Sequence, residues 1–234
     1  MMETMKNTLL AGLPALGLTL EDETANTLCA FGQAVVKQNE VMNLTAITEP
    51  AAVAKLHLLD SLSVLCAADL HGKTLIDVGC GAGFPGVPVA IGCSDARVTL
   101  LDSLGKRVKW LEEILPTLEI QANCVTARAE EAAPKYRETF DYATSRAVAR
   151  LNILLELTAP FVKVGGAVLA MKGSAAKEEL AEAKNAVKRL GLQVENVLDF
   201  PIDGAIHSVI VLRKVAPTPA QYPRRYAKIK QSPL

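Results

Sequence analysis

The run Asp77-Val78-Gly79-Cys80-Gly81-Ala82-Gly83 follows the apolar stretch Thr74 to Ile76, and a second carboxylate, Asp102, comes 25 residues after Asp77. A strand that ends in closely spaced glycines turns tightly, lets a ligand approach its backbone, and opens into a helix whose first N–H groups lack partners. Asp102 closes the next apolar run, Val98 to Leu101, where a carboxylate can accept both hydroxyls of a ribose. The chain is thereby constrained to an α/β sheet with a nucleotide cradle at the carboxyl edge of its strands.

Gly81, Gly83 and Gly86 satisfy G-x-G-x-x-G, a weak signal by itself. Asp77 adds information. A carboxylate placed before the first glycine would repel the pyrophosphate of NAD, whereas it suits a ligand carrying an ammonium group and a sulfonium cation, as S-adenosyl-L-methionine does. An NAD-linked oxidoreductase stays open as an alternative, although it would need a further substrate domain with a catalytic His or Lys. A small-molecule methyltransferase or an inactive cofactor-binding module stays open as well.

With 234 residues, half of them apolar, the chain suits one large domain or one domain with an appendage. Cys29, Cys66, Cys80, Cys93 and Cys124 are scattered and form no C-x-x-C pair, so neither a disulfide framework nor a metal site is expected. His57, His71 and His207 are isolated in sequence and read as ordinary hydrogen-bonded side chains. Leu9 to Leu20 is apolar but interrupted by Gly12, Pro14 and Gly17, so it reads as neither a secretory signal nor a membrane span. A cytoplasmic chain without a membrane partner, and a monomer, is expected. Net charge is zero, yet residues 204–234 hold six basic residues and no acid: Arg213, Lys214, Arg224, Arg225, Lys228 and Lys230. With Tyr222 and Tyr226 among them, the segment suits nucleic-acid phosphates.

Helical periodicity marks Glu21 to Gln38 and Ala51 to Ala67 as two helices before any strand. From Leu75 onward strands alternate with helices, which forces parallel strands covered on both faces. Leu192 to Phe200 and His207 to Arg213 are separated by too few residues for a crossover and must form a hairpin. The expected fold is a Rossmann-like, mostly parallel seven-stranded sheet with an antiparallel C-terminal hairpin strand, the layout of class I S-adenosylmethionine-dependent methyltransferases. Three parts are expected: an N-terminal helical extension (1–70), the cofactor-binding domain (71–215) and a basic C-terminal tail (216–234).

Asn43 to Ala46, His57 to Leu62, Asp77 to Pro88, Leu101 to Ser103, Gly105 to Arg107, Ser145 to Ala147 and Tyr222 to Arg224 together resemble the glucose-inhibited division protein B family. Its members, also called small-subunit rRNA methyltransferase G, methylate N7 of a guanine in bacterial 16S rRNA. The resemblance implies 16S rRNA or the small ribosomal subunit as partner. Gly79 and Gly81 are expected against the methionine part of the cofactor, Asp77 at its ammonium group and Asp102 at its ribose. The resemblance adds Phe84, together with Ala129 and Glu130, the latter facing the adenine amino group. Arg146 is expected on the cofactor carboxylate or an RNA phosphate, and Arg224, Arg225 and Lys228 on RNA. The turn after the fourth strand, Ser145-Arg146-Ala147-Val148, has neither the Asn/Asp-Pro-Pro-aromatic run of adenine-amine enzymes nor the cysteine nucleophile of cytosine C5 enzymes. Guanine N7 already owns an in-plane lone pair, so positioning suffices and no side chain is assigned as catalytic.

Replacing Gly81 by Val should abolish cofactor binding while leaving most of the fold, because a β-branched side chain enters the ligand's space and disfavours a left-handed backbone. Calorimetric titration with S-adenosylhomocysteine beside a circular dichroism melt checks this; near-normal affinity would refute it.

Overall fold

The computed structural model describes residues 1–234. Seven strands form one sheet in the order β3-β2-β1-β4-β5-β7-β6. They are β1 (Thr74–Val78), β2 (Arg97–Asp102), β3 (Asn123–Thr126), β4 (Phe140–Arg146), β5 (Val162–Lys172), β6 (Leu192–Ile202) and β7 (Ala205–Lys214). β1 to β5 are parallel to one another, and β7 runs antiparallel to both β5 and β6. The expected fold holds. The turn at Asp203-Gly204 has positive φ at both residues, the geometry that matches the twist of a two-residue hairpin.

Side chains alternate across the sheet as a period of two requires. Leu75, Ala167, Leu169, Val209 and Val211 enter the core on one face; Ile76, Val78, Val168, Ala170, Ile210 and Leu212 enter the core on the other. Both faces are covered, which is why these strands read as continuous apolar runs. The first face carries α1 (Met2–Leu16), α2 (Asp22–Asn39), α3 (Pro50–Val53), α4 (Asp60–Leu62), α5 (Gly86–Gly92) and α6 (Gly105–Thr117). The second carries α7 (Ala129–Ala132), α8 (Leu151–Thr158), α9 (Ala176–Glu182) and α10 (Lys184–Arg189). A last helix, α11 (Tyr226–Gln231), lies against α8.

Two local expectations need correction. Three helical stretches, not two, precede the first strand, because Met2–Leu16 is helical despite Gly12 and Pro14. Its residues Met5, Leu9, Leu13 and Leu16 form a buried stripe, and this tertiary burial outweighs two weak helix formers. Gly12 is a close-contact position, since a Cβ there would lie 2.2 Å from Leu59 Cδ1. Gly17 ends the helix in the left-handed region at φ 67°. Between α3 and α4 the helix widens into a π-type stretch, Ala54–Leu59, which is followed by a 3-10 turn at Ser63–Cys66. No helix is long and apolar enough to cross a membrane.

The basic C-terminal segment is anchored. Tyr222 and Ile229 are buried, and Arg137 donates to the backbone carbonyls of Thr218, Pro219 and Tyr222. Glu156, fully buried on α8, accepts two bonds from the Arg224 guanidinium at 2.8 and 2.6 Å and a third from the Arg224 backbone N–H at 2.8 Å. Arg224 is thus a fastener, and its placement differs from the expected phosphate contact: a bidentate carboxylate pair occupies the fork that would grip a phosphate.

Arg224→Ala leaves the Glu156 carboxylate buried with only the backbone N–H of residue 224 as partner and no compensating charge, and should lower unfolding stability by about 3 kcal/mol. Urea denaturation at neutral pH measures it. The double variant Glu156→Leu/Arg224→Met should lose much less, because no charge is stranded.

Candidate functional site

The strand order reverses direction at β1, whose neighbours are β2 on one side and β4 on the other. Chains leaving β1 and β4 go to opposite faces and open a crevice at the carboxyl ends of the strands. Gly79, Gly81 and Gly83 all have positive φ, at 76°, 56° and 98°, which only glycine adopts readily. Asp102 fastens this turn: one oxygen accepts the Gly81 N–H at 2.9 Å and the other the Leu104 N–H at 2.8 Å. Each oxygen keeps a second lone pair for a ligand hydroxyl.

Two joined clefts lie over the turn. One, of about 240 Å³, is lined by Gly79, Asp102, Ala129 and Glu130 together with Val148 and Tyr226. The other, of about 400 Å³, is lined by Gly79, Gly81, Phe84, Asp102 and Arg146 together with Thr45, His57 and Arg107. Seven of the eight expected cofactor residues therefore converge on one trough. Tyr226, on α11, was missed as a cleft residue because its role depends on the C-terminal segment folding back over α8.

Asp77 is the eighth, and it lies beneath the trough. It is fully buried, with Oδ2 accepting the Gly86 N–H at 2.8 Å. A Cβ on Gly86 would stand 2.3 Å from Leu100 Cδ2 and 2.9 Å from Asp77 Oδ2, so the third glycine of the motif serves close packing on this carboxylate. Asp77 Oδ1 is buried and has no hydrogen-bond partner. Burial lifts the carboxyl to about 7, since the charged form has lost its water. Cys80, equally enclosed beside Asp77 and Asp102, has its thiol pushed well up.

Phe84 is buried, its ring stacked on His57 at 4.5 Å and tilted against Phe31 at 5.4 Å. Its side chain closes the helix start against the N-terminal helices. Arg146 differs from expectation as well. Its Nη1 donates to Asp60 Oδ2 at 2.8 Å and to the Leu56 carbonyl at 2.9 Å, and Nη2 lies 3.1 Å from His57 Nδ1. His57 Nδ1 thus stands between the Arg146 guanidinium, which only donates, and the Leu56 carbonyl at 3.2 Å, which only accepts, while Nε2 lies 2.7 Å from the Thr45 hydroxyl. Burial and the Arg146 charge bring the His57 pKa down to about 4. Asp60 Oδ1 accepts from His207 Nδ1 at 2.8 Å. Asp141 pairs instead with Thr74 and Lys163.

The histidines expected to be isolated are therefore gathered in two places. His57 and His207 share the Asp60–Arg146 cluster. His71 meets Asp95 at 3.0 Å, which Cys93 also approaches at 3.3 Å, at the opposite edge of the sheet. His57 and Asp60, three apart on a helical segment, share a face and were legible in principle. His207, 147 positions from Asp60, gave no local signal.

The family model for rRNA small subunit methyltransferase G, GidB, matches residues 24–204. The chain belongs to this family. Ribosomal RNA small subunit methyltransferase G of Acetivibrio thermocellus is 41% identical, with 98% of this chain and 97% of that protein covered. The corresponding protein of Alkaliphilus oremlandii is 42% identical, with 98% and 99% covered. Among solved structures, M. jannaschii TYW2 in complex with AdoMet has a TM-score of 0.56 at 13% identity, covering 68% of this chain and 76% of that one. P. horikoshii TYW2 has a TM-score of 0.54 at 18% identity, covering 67% and 62%. These two show the fold. As a small-subunit rRNA methyltransferase G, the chain is an S-adenosylmethionine-dependent enzyme, and the NAD-linked and inactive alternatives fall away. Its residues fit that cofactor: Gly79 and Gly81 present no side chain to the trough, and an orphaned carboxylate oxygen lies beneath it.

Because the Asp77 pKa is raised on folding, its contribution to stability is present below about pH 4 and lost as pH rises through about 7. Asp77→Asn should remove that slope. The ligand-free variant should then be more stable than the parent at pH 8 by roughly 1–3 kcal/mol, and equal to it or weaker near pH 4. Denaturation curves at the two pH values decide; a less stable variant at pH 8 would show that the carboxylate is satisfied.

Proposed function

We propose that this chain transfers the methyl group of S-adenosyl-L-methionine to N7 of a guanine in bacterial 16S rRNA, in the cytoplasm, on the free RNA or within the small ribosomal subunit. The observation that carries the reading is full-length kinship with small-subunit rRNA methyltransferase G combined with the trough at the β1 switch point. The cofactor, when bound, supplies an electrophilic methyl on a sulfonium. Asp102 holds the ribose hydroxyls, Glu130 with Ala129 borders the adenine, and the Gly79–Gly81 backbone receives the methionine part. Asp77 attracts the ammonium through a water or a small shift of the turn, which would satisfy its orphaned oxygen.

Arg146, with Asp60 neutralising its charge, can stand beside a sulfonium without strong repulsion. It fixes the wall between the trough and the acceptor side. Guanine N7 needs no deprotonation, so the residues of the site orient the base, exclude water and stabilise the positive charge that the purine acquires.

On the RNA side, Arg225, Lys228 and Lys230 are exposed on or next to α11 and make no ion pair, so they remain the phosphate-binding candidates once Arg224 is set apart. Their triple replacement by glutamine should leave S-adenosylhomocysteine affinity unchanged while weakening RNA binding. The slope of log affinity against log salt should shrink by up to roughly 2, at about 0.7 per phosphate on an irregular site.

The test of the function is transfer of labelled methyl groups to 16S rRNA and to small subunits, followed by mapping of the modified base. Label on an exocyclic amine or on C5 of a pyrimidine, or binding of NADH in preference to S-adenosylhomocysteine, would refute it.

A further inference from the structure

A third cavity, of about 560 Å³, lies beyond Arg146 and shares His57, Arg146, Ala147 and Val148 with the trough. Its walls combine apolar surface from Ile47, Leu56 and Met171 with the Asp60–Arg146–His207 cluster. The strand register sets its position. Arg146 at the end of β4 pairs with Met171, and Lys172 at the end of β5 pairs with Ser208, so His207 reaches the same carboxyl edge from β7. β7 stands two strand spacings from β4, about 10 Å.

The polar groups in this cavity are mostly spent. Asp60 is shared between Arg146 and His207, and Glu179 accepts from Lys172 at 2.8 Å and from the Leu151 N–H at 2.7 Å. His207 is the exception. Its Nδ1 faces a carboxylate, which only accepts, so the proton of the neutral ring sits on Nδ1 and the lone pair on Nε2. Nε2 has no partner in the protein and is not among the buried unpartnered atoms, so it is an accessible, unused acceptor on a residue that lines the cavity.

We propose that this cavity receives the acceptor purine and that His207 Nε2 accepts a hydrogen bond from the guanine N1–H. The inference rests on the function proposed above and names the site's base-reading residue. A purine laid across the end of β5, from the Arg146–Val148 turn to His207, together with one hydrogen bond of about 2.9 Å, fits the span between the strands. The contact discriminates, because adenine carries a lone pair at N1 and would meet the lone pair of Nε2. It also favours the reaction. Methylation at N7 leaves the purine cationic and its N1–H more acidic, so this bond strengthens as the methyl arrives, while no proton has to move.

Two variants separate this role from simple propping of Asp60. In His207→Asn the amide can still donate to Asp60 from the place of Nδ1, but nothing occupies the place of Nε2. In His207→Gln the longer amide can offer its oxygen at that place. S-adenosylhomocysteine affinity should stay within about twofold in both. The single-turnover methyl-transfer rate on 16S rRNA should fall on the order of tenfold or more in His207→Asn, the loss of one transition-state hydrogen bond, and recover in part in His207→Gln.

Wild-type activity should also fall with acid as His207 protonates, since His207⁺ has no lone pair to accept with, and His207→Asn should lack that limb. The charges that face the ring are Asp60 on the helical segment, Arg146 at the end of β4 and Asp203 in the hairpin turn, which raises the pKa on balance; Asp203 is itself paired with Lys55. As a readout apart from turnover, the His207 ring resonances, one set among three histidines, should shift when guanosine monophosphate is added to the S-adenosylhomocysteine complex and stay put with cytidine monophosphate. Full activity in His207→Asn beside an active wild type would overturn this inference alone. A wild type inert toward 16S rRNA and small subunits would overturn the functional reading and this inference with it.

Discussion

The reversal of strand order at β1 is the constraint on which the rest of the molecule depends. With β2 and β4 as its two neighbours, β1 sends its following chain to one face while β4 sends its own to the other, and the sheet's carboxyl edge opens between them. Every functional group discussed above sits on that edge or is carried to it. Asp102 and Arg146 end strands, and Asp77 stands one residue before the end of β1; Glu130 lies in the short helix after β3; His207 arrives on the one strand that runs antiparallel to β5. The antiparallel β7 places residues from near its start, rather than its end, at the carboxyl edge, which lets a late part of the sequence face the site.

Electrostatics in this edge follow burial. Asp77 and Asp60 are both nearly inaccessible carboxylates, but their fates differ. Asp60 has Arg146 and His207, and its acidity rises despite desolvation; Asp77 has a single backbone N–H, and its acidity falls. A fully compensated charge makes a stable wall, whereas an under-compensated one stores a preference for a cation or a water. The difference separates the part of the site that is finished in the protein alone from the part that a ligand completes.

The N- and C-terminal segments are integral to this arrangement. The N-terminal helices share one apolar core with the sheet; with the loop after α2 they bring Thr45 and His57 to the trough and Asp60 to the cavity beyond Arg146. The C-terminal segment is tied down by Arg137, Glu156 and Ile229 and brings Tyr226 to the cleft that Ala129 and Glu130 line. A charge count by itself gives a basic tail; packing divides those charges into Lys214, fully buried and bonded to Glu138 and two carbonyls, Arg224 as a clamp, and Arg225, Lys228 and Lys230 left in solvent.

Local patterns in the chain determined a great deal. The glycine run with its two carboxylates required a strand, a turn and a helix in that order. The alternation of apolar runs required a parallel sheet, and the short link before His207 required a hairpin, because each of these is set by residues within a few positions of one another. Local pattern also misjudged α1, where Gly12 and Pro14 predict an interruption that burial against the π-type stretch overrides. Tertiary structure alone decided which charges meet. That Arg146 would face Asp60, that Arg224 would face Glu156, and that His207 would face Asp60 are contacts across 68 to 147 positions. Side-chain type and short spacing carry no information about such meetings, since they arise only when the sheet brings distant strand ends to a common edge.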